Sequence, residues 1–203
     1  MSDRRDPAIG LVELSSIATG IVCADAMVKA APIGAIYTGT IHPGRYLVLV
    51  SGDTASVEIA LDVAADRGGS SVTGSVFLPD VHPEVVAAIV AARHDAGPEP
   101  EALGIIETAT VPPVVDGADA GVKAADVNVA AVVLADGLGG KGYVLFGGSV
   151  GDVEAAVEAA TGRIEPSGAL VAAEVVAQLH PDIRANLGAE LRFNRRLAAG
   201  GGR

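Results

Sequence analysis

An internal repeat constrains the fold of this chain more than any other feature of its sequence. The segment ADAMVKAA at residues 24–31 returns as ADAGVKAA at residues 118–125, with a single residue changed. A second motif, G-x-x-E, lies upstream in both copies, as AIGLVE at residues 8–13 and as ALGIIE at residues 102–107. Both pairs are offset by 94 residues, a period too long for a solenoid repeat of roughly 20 to 50 residues. The chain is therefore two fused domains of similar size.

The offset between the copies grows along the chain, which reveals an insertion. Gly44 matches Gly140 at an offset of 96, so two residues are inserted in the second copy between residues 125 and 140. The segment VHPE at 81–84 matches LHPD at 179–182, so the copies correspond almost from end to end. Between them, DAGPEPE is acidic and rich in Gly and Pro, as linkers are. The predicted segments are a first domain at 8–94, a linker at 95–101, a second domain at 102–188 and a C-terminal tail at 189–203.

The amino-acid composition limits the classes of partner. The 203 residues carry a formal net charge of −11, whereas nucleic acids and anionic membranes are bound through clustered Lys and Arg. We therefore expect no nucleic-acid partner and no membrane partner, and the single cysteine is compatible with the cytoplasmic location that we expect. With no Trp, three Phe and three Tyr, the core has to be built from small aliphatic side chains. The lone Cys23 excludes a disulfide or a multi-cysteine metal site within one chain.

The hydrophobic pattern predicts the same elements in each copy: a strand, a helix, a hairpin, a second helix, a further strand and a short helix. This order is typical of an α+β fold, with helices on one face of a largely antiparallel sheet. The helix that contains ADAMVKAA is expected at 20–31 and its counterpart at 115–125. Asp53 and Ser149 are the predicted N-caps of the two second helices.

These motifs, in this order, resemble the bacterial microcompartment shell domain. They are the G-x-x-E strand, the ADAxVKAA helix, the hairpin with a tight Gly-containing tip, the capped second helix and the closing strand that leads into His-Pro. Two copies in one chain resemble the tandem-domain shell proteins of the non-permuted kind, and the resemblance covers residues 8–188. It implies a homotrimer whose six domains imitate a hexagon. Such trimers are expected to tile with hexameric and pentameric shell proteins into a sheet around encapsulated enzymes.

The resemblance implies two kinds of site. In the family the lysine of the KAA motif lies at the tile edge, which corresponds here to Lys29 and Lys123. The residues alone also fit a simple helix ion pair between Lys29 and Asp25. In the family the hairpin tips line a central pore, and backbone amides at Gly-rich tips favour small polar or anionic metabolites. The implied pore-lining residues are Ile41, His42, Pro43 and Gly44 in the first copy and Leu138, Gly139 and Gly140 in the second.

His42 is the most informative difference between the two tips, because Leu138 stands at its place in the second copy. A trimer would gather three His42 side chains around its axis, and three imidazoles with an open fourth position are able to hold Zn²⁺. In one branch of the family a cysteine in this loop carries an iron–sulfur cluster. This loop has no cysteine, so the cluster is not carried over. A metal at His42 and a solvated pore-lining histidine both stay open.

No pattern of catalytic residues stands out in the sequence. Residues 137–142 match G-x-G-x-x-G, but they precede a strand-like segment, whereas a dinucleotide site needs a helix there. We therefore expect no enzyme. The first functional hypothesis is a structural shell trimer with a pore for small metabolites, and the second is a metal- or redox-cofactor-bearing conduit through His42. A third is a free regulatory protein that binds a metabolite between its two copies.

Overall fold

A computed structural model describes residues 8–91 and 100–187, and in them the two copies have the same order of elements. The first copy contains β1 (Ala8–Leu14), α1 (Ile17–Ala30), β2 (Ala35–Ile41), β3 (Arg45–Gly52), α2 (Thr54–Gly68), β4 (Val72–Leu78) and α3 (Pro83–Ala91). The second contains β5 (Ala102–Thr108), α4 (Val111–Ala124), β6 (Asn128–Leu134), β7 (Gly142–Gly148), α5 (Val150–Ile164), β8 (Leu170–Ala177) and α6 (Pro181–Leu187). Of the predicted linker at 95–101, only Pro100 and Glu101 are among the described residues, and the predicted tail at 189–203 lies outside them.

Each copy forms one four-stranded antiparallel sheet. The strand orders are β2-β3-β1-β4 and β6-β7-β5-β8, so the motif strands β1 and β5 lie inside their sheets. The glycine of G-x-x-E lets the second helix approach this central strand. A Cβ built on Gly10 would lie 2.9 Å from side-chain atoms of Val57 and Leu61, and one on Gly104 would lie 2.7 Å from Val157 Cγ2. The predicted α+β fold is confirmed.

The helices begin where the local sequence supplies partners for the first turn. Asp53 and Ser149 are confirmed as N-caps, since their side chains accept from Ser56 N and Asp152 N. The hydrogen bonds from Ser56 lower the pKa of Asp53. Helix α4 starts at Val111, earlier than the predicted Val115, because prolines fit the first helical turn, where the backbone N–H has no helical partner. Helix α1 likewise starts before Gly20, after the N-cap Ser16.

Reciprocal exchanges between glycine and a larger residue adapt the two cores to the same backbone. A Cβ built on Gly121 of α4 would lie 2.5 Å from Phe146 Cζ on β7. At the same places in the first copy stand Met27 and Val50, both fully buried. The larger side chain thus comes from the strand in one copy and from the helix in the other. The further exchanges are Gly20 with Tyr46 against Val114 with Gly142, and Cys23 with Gly68 against Gly117 with Ile164.

One hydrophobic core cluster spans the two domains. Helix α4 packs against β4 of the first domain, and α3 of the first domain packs against β6 of the second. The largest cluster of buried apolar side chains therefore contains residues of both copies, for example Val85 of α3 and Val115 of α4. Helix α3 lies at this boundary, whereas α1 and α2 pack on the sheet of their own domain. No helix in residues 8–91 or 100–187 is both long enough and apolar enough to span a membrane.

Candidate assembly interface and pore loops

The two hairpin tips lie side by side. The first tip, residues 42–44, is closed by a hydrogen bond from Gly44 N to Ile41 O of 3.0 Å, with φ of 85° at Gly44 and a cis His42–Pro43 peptide bond. The second tip, residues 136–140, is closed by Ala135 N donating to Lys141 O at 3.0 Å. The inserted residues therefore lengthen the second tip.

Contact between the tips is close. A Cβ built on Gly140 would lie 3.1 Å from Pro43 Cδ and 3.3 Å from His42 O. His42, Pro43 and Gly44 are exposed, Ile41 is buried and Leu138 is half-buried. The structure thus brings the predicted pore-lining segments of the two copies together, and the assignment of these residues to a pore stays a prediction.

The glutamate of each G-x-x-E motif binds a cation at the base of a tip. Glu13 is fully buried and accepts from Arg45 Nη1, while Glu107 accepts from Lys141 Nζ at 2.6 Å. A buried carboxylate needs both charge compensation and hydrogen bonds. Glu13 obtains its second hydrogen bond across the domain boundary, from Val111 N to Oε2 at 2.8 Å.

This contact satisfies the start of α4. Thr110, the N-cap residue of α4, makes no capping hydrogen bond with its side chain, and the next two positions after Val111 are prolines without an N–H. Val111 N–H is therefore the donor that needs an outside acceptor, and Glu13 supplies it. A negative charge at a helix N-terminus is also favourable.

The lysine of the second KAA motif lies at the same boundary. Lys123 Nζ donates to Asp80 O of the first domain and to Asp119 Oδ2 at 2.6 Å. Asp119 Oδ1 in turn accepts from His82 N at 2.8 Å, so an acid and a base of α4 together hold the segment that leads into α3. Lys29, by contrast, pairs with Asp25 at 2.5 Å, and both side chains are exposed. The tile-edge role expected for the two lysines stays a prediction.

A third polar contact protects the edge strand of the second sheet. Glu84, in the first turn of α3, accepts from Val129 N of β6 at 2.9 Å. The outward N–H groups of an edge strand otherwise form a template for pairing with another chain. In the first copy, Ile36 of β2 corresponds to Val129. Ile36 pairs with Val50, and Val129 pairs with the corresponding residue of the second copy, Phe146.

Corresponding apolar side chains of the two copies differ in exposure at the domain boundary. Val111 and Val115 of α4 are 0% exposed and Val122 is 8% exposed, because the first domain covers them. Their counterparts on α1 lie open, with exposures of 39% for Ile17, 54% for Ile21 and 41% for Val28. The last helix of each copy differs as well, with the exposed residue now in the second copy. Val85 of α3 is 0% exposed, whereas its counterpart Ile183 of α6 is 51% exposed.

Within residues 8–91 and 100–187, no three His, Cys, Asp or Glu side chains of one chain converge on a metal site. His42 stands exposed at its tip, so a metal there would need His42 from several chains. Cys23 is buried on α1 with its thiol against Ala64 O, and burial raises the pKa of the thiol. This thiol is accordingly held in its neutral form and is not directed at the tips.

Three contact groups were missed by the sequence analysis, namely Glu13, Glu84 and Asp119. Their signal was present, because each has an acidic counterpart in the other copy: Glu107, Asp182 and Asp25. Repetition alone did not show that these groups bind a neighbouring domain, because their partners are backbone N–H groups, which leave no pattern in the sequence.

Three features define the class of this protein: two copies of one domain, an apolar stripe that is buried on α4 and exposed on α1, and two hairpin tips in contact. The chain belongs to the family of bacterial microcompartment shell proteins, of the tandem-domain, non-permuted kind. The sequence model of the BMC domain matches residues 8–81 and 102–179.

Similar proteins and structures agree with this family. The bacterial microcompartment shell protein PduT of Citrobacter freundii is 36% identical over 173 residues, which cover 85% of this chain and 93% of the relative. The major carboxysome shell protein CsoS1A of Halothiobacillus neapolitanus is 40% identical over 88 residues, covering 42% of this chain and 90% of the relative. The crystal structure of a microcompartments protein from Desulfitobacterium hafniense DCB superposes with a TM-score of 0.76 at 36% identity, covering 88% of this chain and 98% of that one.

Proposed function

We propose that this chain is a non-catalytic shell protein that forms a homotrimer around a central pore and tiles, with hexameric and pentameric shell proteins, into the facet of a microcompartment. The observation that carries the proposal is an incomplete set of contacts. The surface that joins the two domains inside the chain has counterparts on α1 of the first domain and on β5 and α6 of the second, and among the described residues these counterparts bind only groups of their own domain.

The polar counterparts match group for group. Glu107 corresponds to Glu13, Asp25 and Lys29 correspond to Asp119 and Lys123, and Asp182 corresponds to Glu84. Each retains its charge. A chain that presents one half of a contact at its first domain and the other half at its second binds further copies head to tail, and such an interface generates closed rings or open filaments.

The apolar counterparts supply the driving force. Ile17, Ile21 and Val28 of α1 expose the stripe that α4 buries against the first domain. Fully burying one such side chain contributes about 1.5–3 kcal/mol relative to leaving it exposed. An exposed apolar stripe of this kind, rimmed by Asp25 and Lys29, is typical of a protein–protein interface.

A ring of three chains supports the pore proposal. Because the tips at 42–44 and 136–140 touch inside one chain, a ring that repeats the same contact alternates three copies of each tip around its axis. Arg45 and Lys141 lie at the bases of the tips. These two cations are already paired with Glu13 and Glu107, so the preference for small polar or anionic metabolites comes from backbone amides at the Gly-rich tip, such as that of the exposed Gly139.

Tiling is tested with the lysines of the KAA motifs. Purified protein is mixed with a hexameric shell protein and imaged by electron microscopy, and we expect flat sheets from the wild type. Because Lys29 also rims the proposed ring contact, the variants are compared at a concentration at which each is still a trimer by native mass spectrometry. Lys29→Ala trimers should form no sheets, whereas trimers of Arg163→Ala, which lacks another exposed cation, should form sheets as the wild type does. Sheets that form equally well with Lys29→Ala would contradict the edge role of this lysine.

A second candidate function is a conduit in which three His42 side chains hold a metal ion on the ring axis. It is favoured by the exposure of His42 at a tip whose neighbour, Gly140, carries no side chain to cover it. Neutral imidazole is a common ligand of Zn²⁺, and three of them leave a coordination position for water or a permeant.

A further inference from the structure

We propose that the Glu107 carboxylate of each chain accepts a hydrogen bond from the backbone N–H of Ile17, at the start of α1 of the next chain. This contact would close the ring, so the inference rests on the proposed trimer. It names an acceptor and a donor for the interface between chains, which the trimer alone does not specify.

The same kind of donor–acceptor pair already joins the two domains within the chain. Glu13 Oε1 binds Arg45, and Oε2 accepts from Val111 N at 2.8 Å. Val111 is the first residue of α4, and Ile17 is the first residue of α1. Both helices are 14 residues long. Glu107 occupies on β5 the position that Glu13 occupies on β1. Glu107 pairs with Tyr143 of β7, and Glu13 pairs with the corresponding residue of β3, Leu47.

Glu107 Oε2 and the N–H of Ile17 are both available for a contact with another chain. Glu107 binds Lys141 through Oε1, and its side chain is 33% exposed, whereas that of Glu13 is 0% exposed. Among the hydrogen bonds of the described residues, Oε2 of Glu107 and the N–H of Ile17 have no partner. Ser16 caps α1, but it accepts from Thr19 N and leaves the N–H of the first residue free.

The surface around these two groups has a shape that fits the same contact. In the contact between the two domains of one chain, Gly74 of β4 faces Pro112 of α4, and a Cβ on Gly74 would lie 3.3 Å from the proline ring. In the proposed contact between chains, Ala172 of β8 takes the place of Gly74 and Ala18 of α1 takes the place of Pro112. The side chain added on the strand is thus offset by a smaller one on the helix, so the backbones are able to approach to a similar distance. The partner that fits this surface is therefore a second copy of this chain.

The charge distribution supports the same partner. Glu107 already has one cation, Lys141, so it would enter the interface as a compensated carboxylate rather than as a lone buried charge. A hydrogen bond to a helix N-terminus adds a charge-assisted contact in a region that excludes water. The contact is directional, since the donor and acceptor fix the angle between successive domains.

The test compares trimer dissociation constants from dilution series, measured by mass photometry on the full chain. Glu107→Ala removes the acceptor. Ile17→Pro removes the donor at a helix position that accepts proline, with Ile17→Val as the matched control for the side chain. Glu158→Ala, on an exposed glutamate of α5, controls for the loss of a negative charge. Circular dichroism verifies that each variant is folded.

We expect Glu107→Ala to weaken each contact about tenfold, and the overall dissociation constant of a trimer with three contacts by roughly 1,000-fold. Ile17→Pro should have a similar effect, and the double variant should lose nothing further, because both changes remove the same bond. A trimeric wild type with an unaffected Glu107→Ala variant, or additive effects in the double variant, would overturn the inference alone. A wild type that is monomeric at every concentration would refute the trimer as well.

Discussion

Exchanging the core pair of the second domain for that of the first is the sharpest test of how the duplicated cores are packed. Phe146→Val removes most of an aromatic ring from a fully buried position, which costs about 2–3 kcal/mol of the free energy of unfolding. Gly121→Met alone places a Cβ 2.5 Å from Phe146 Cζ, and overpacking of this kind costs about 3 kcal/mol. If the two effects were independent, the double variant would lose about 5–6 kcal/mol.

The structure predicts a different result for the double variant. Gly121→Met combined with Phe146→Val reproduces the pair that the first domain buries at the same places, Met27 and Val50, so the new methionine fills the space that the phenylalanine leaves. We expect the double variant to unfold within about 1.5 kcal/mol of the wild type. Urea unfolding followed by circular dichroism at one fixed protein concentration measures all four proteins. Additive losses would refute the idea that the exchange conserves packing.

Two further predictions concern the boundary between the domains and the pore. Glu13→Gln keeps the shape of the side chain but removes the negative charge that binds Val111 N–H and Arg45. The free energy of unfolding, measured by urea titration, should therefore fall by about 2 kcal/mol. An unchanged unfolding midpoint would contradict the role of this carboxylate. If His42 binds metal, wild-type trimers dialysed against Zn²⁺ should retain one ion each by elemental analysis and His42→Ala trimers none, whereas a metal-free wild type would rule the conduit out.

The sequence predicted the domain repeat and most of the elements, because the two copies reinforce each other. The G-x-x-E and ADAxVKAA motifs could be aligned without a structure, and the capping residues Asp53 and Ser149 followed from their side-chain chemistry. The start of α4 was predicted too late. The helix begins at Val111, and Pro112 and Pro113 lie in its first turn, where proline is tolerated.

The polar contacts between the two domains could not be predicted from the sequence in the same way. Glu13 and Glu84 bind backbone N–H groups of the other domain, and such acceptors depend on the distance between elements rather than on residue type. The reciprocal glycine exchanges were hidden for a related reason. Met27 and Gly121 look like an unrelated substitution until Val50 and Phe146 are seen to face them.

Native mass spectrometry of the purified protein tests the proposed homotrimer, because it measures the number of chains and any bound metal together. We expect a dominant species at three times 20.2 kDa, which dissociates to single chains on dilution without passing through larger rings. A species at 20.2 kDa alone, across micromolar concentrations at which interfaces of this kind are occupied, would contradict it.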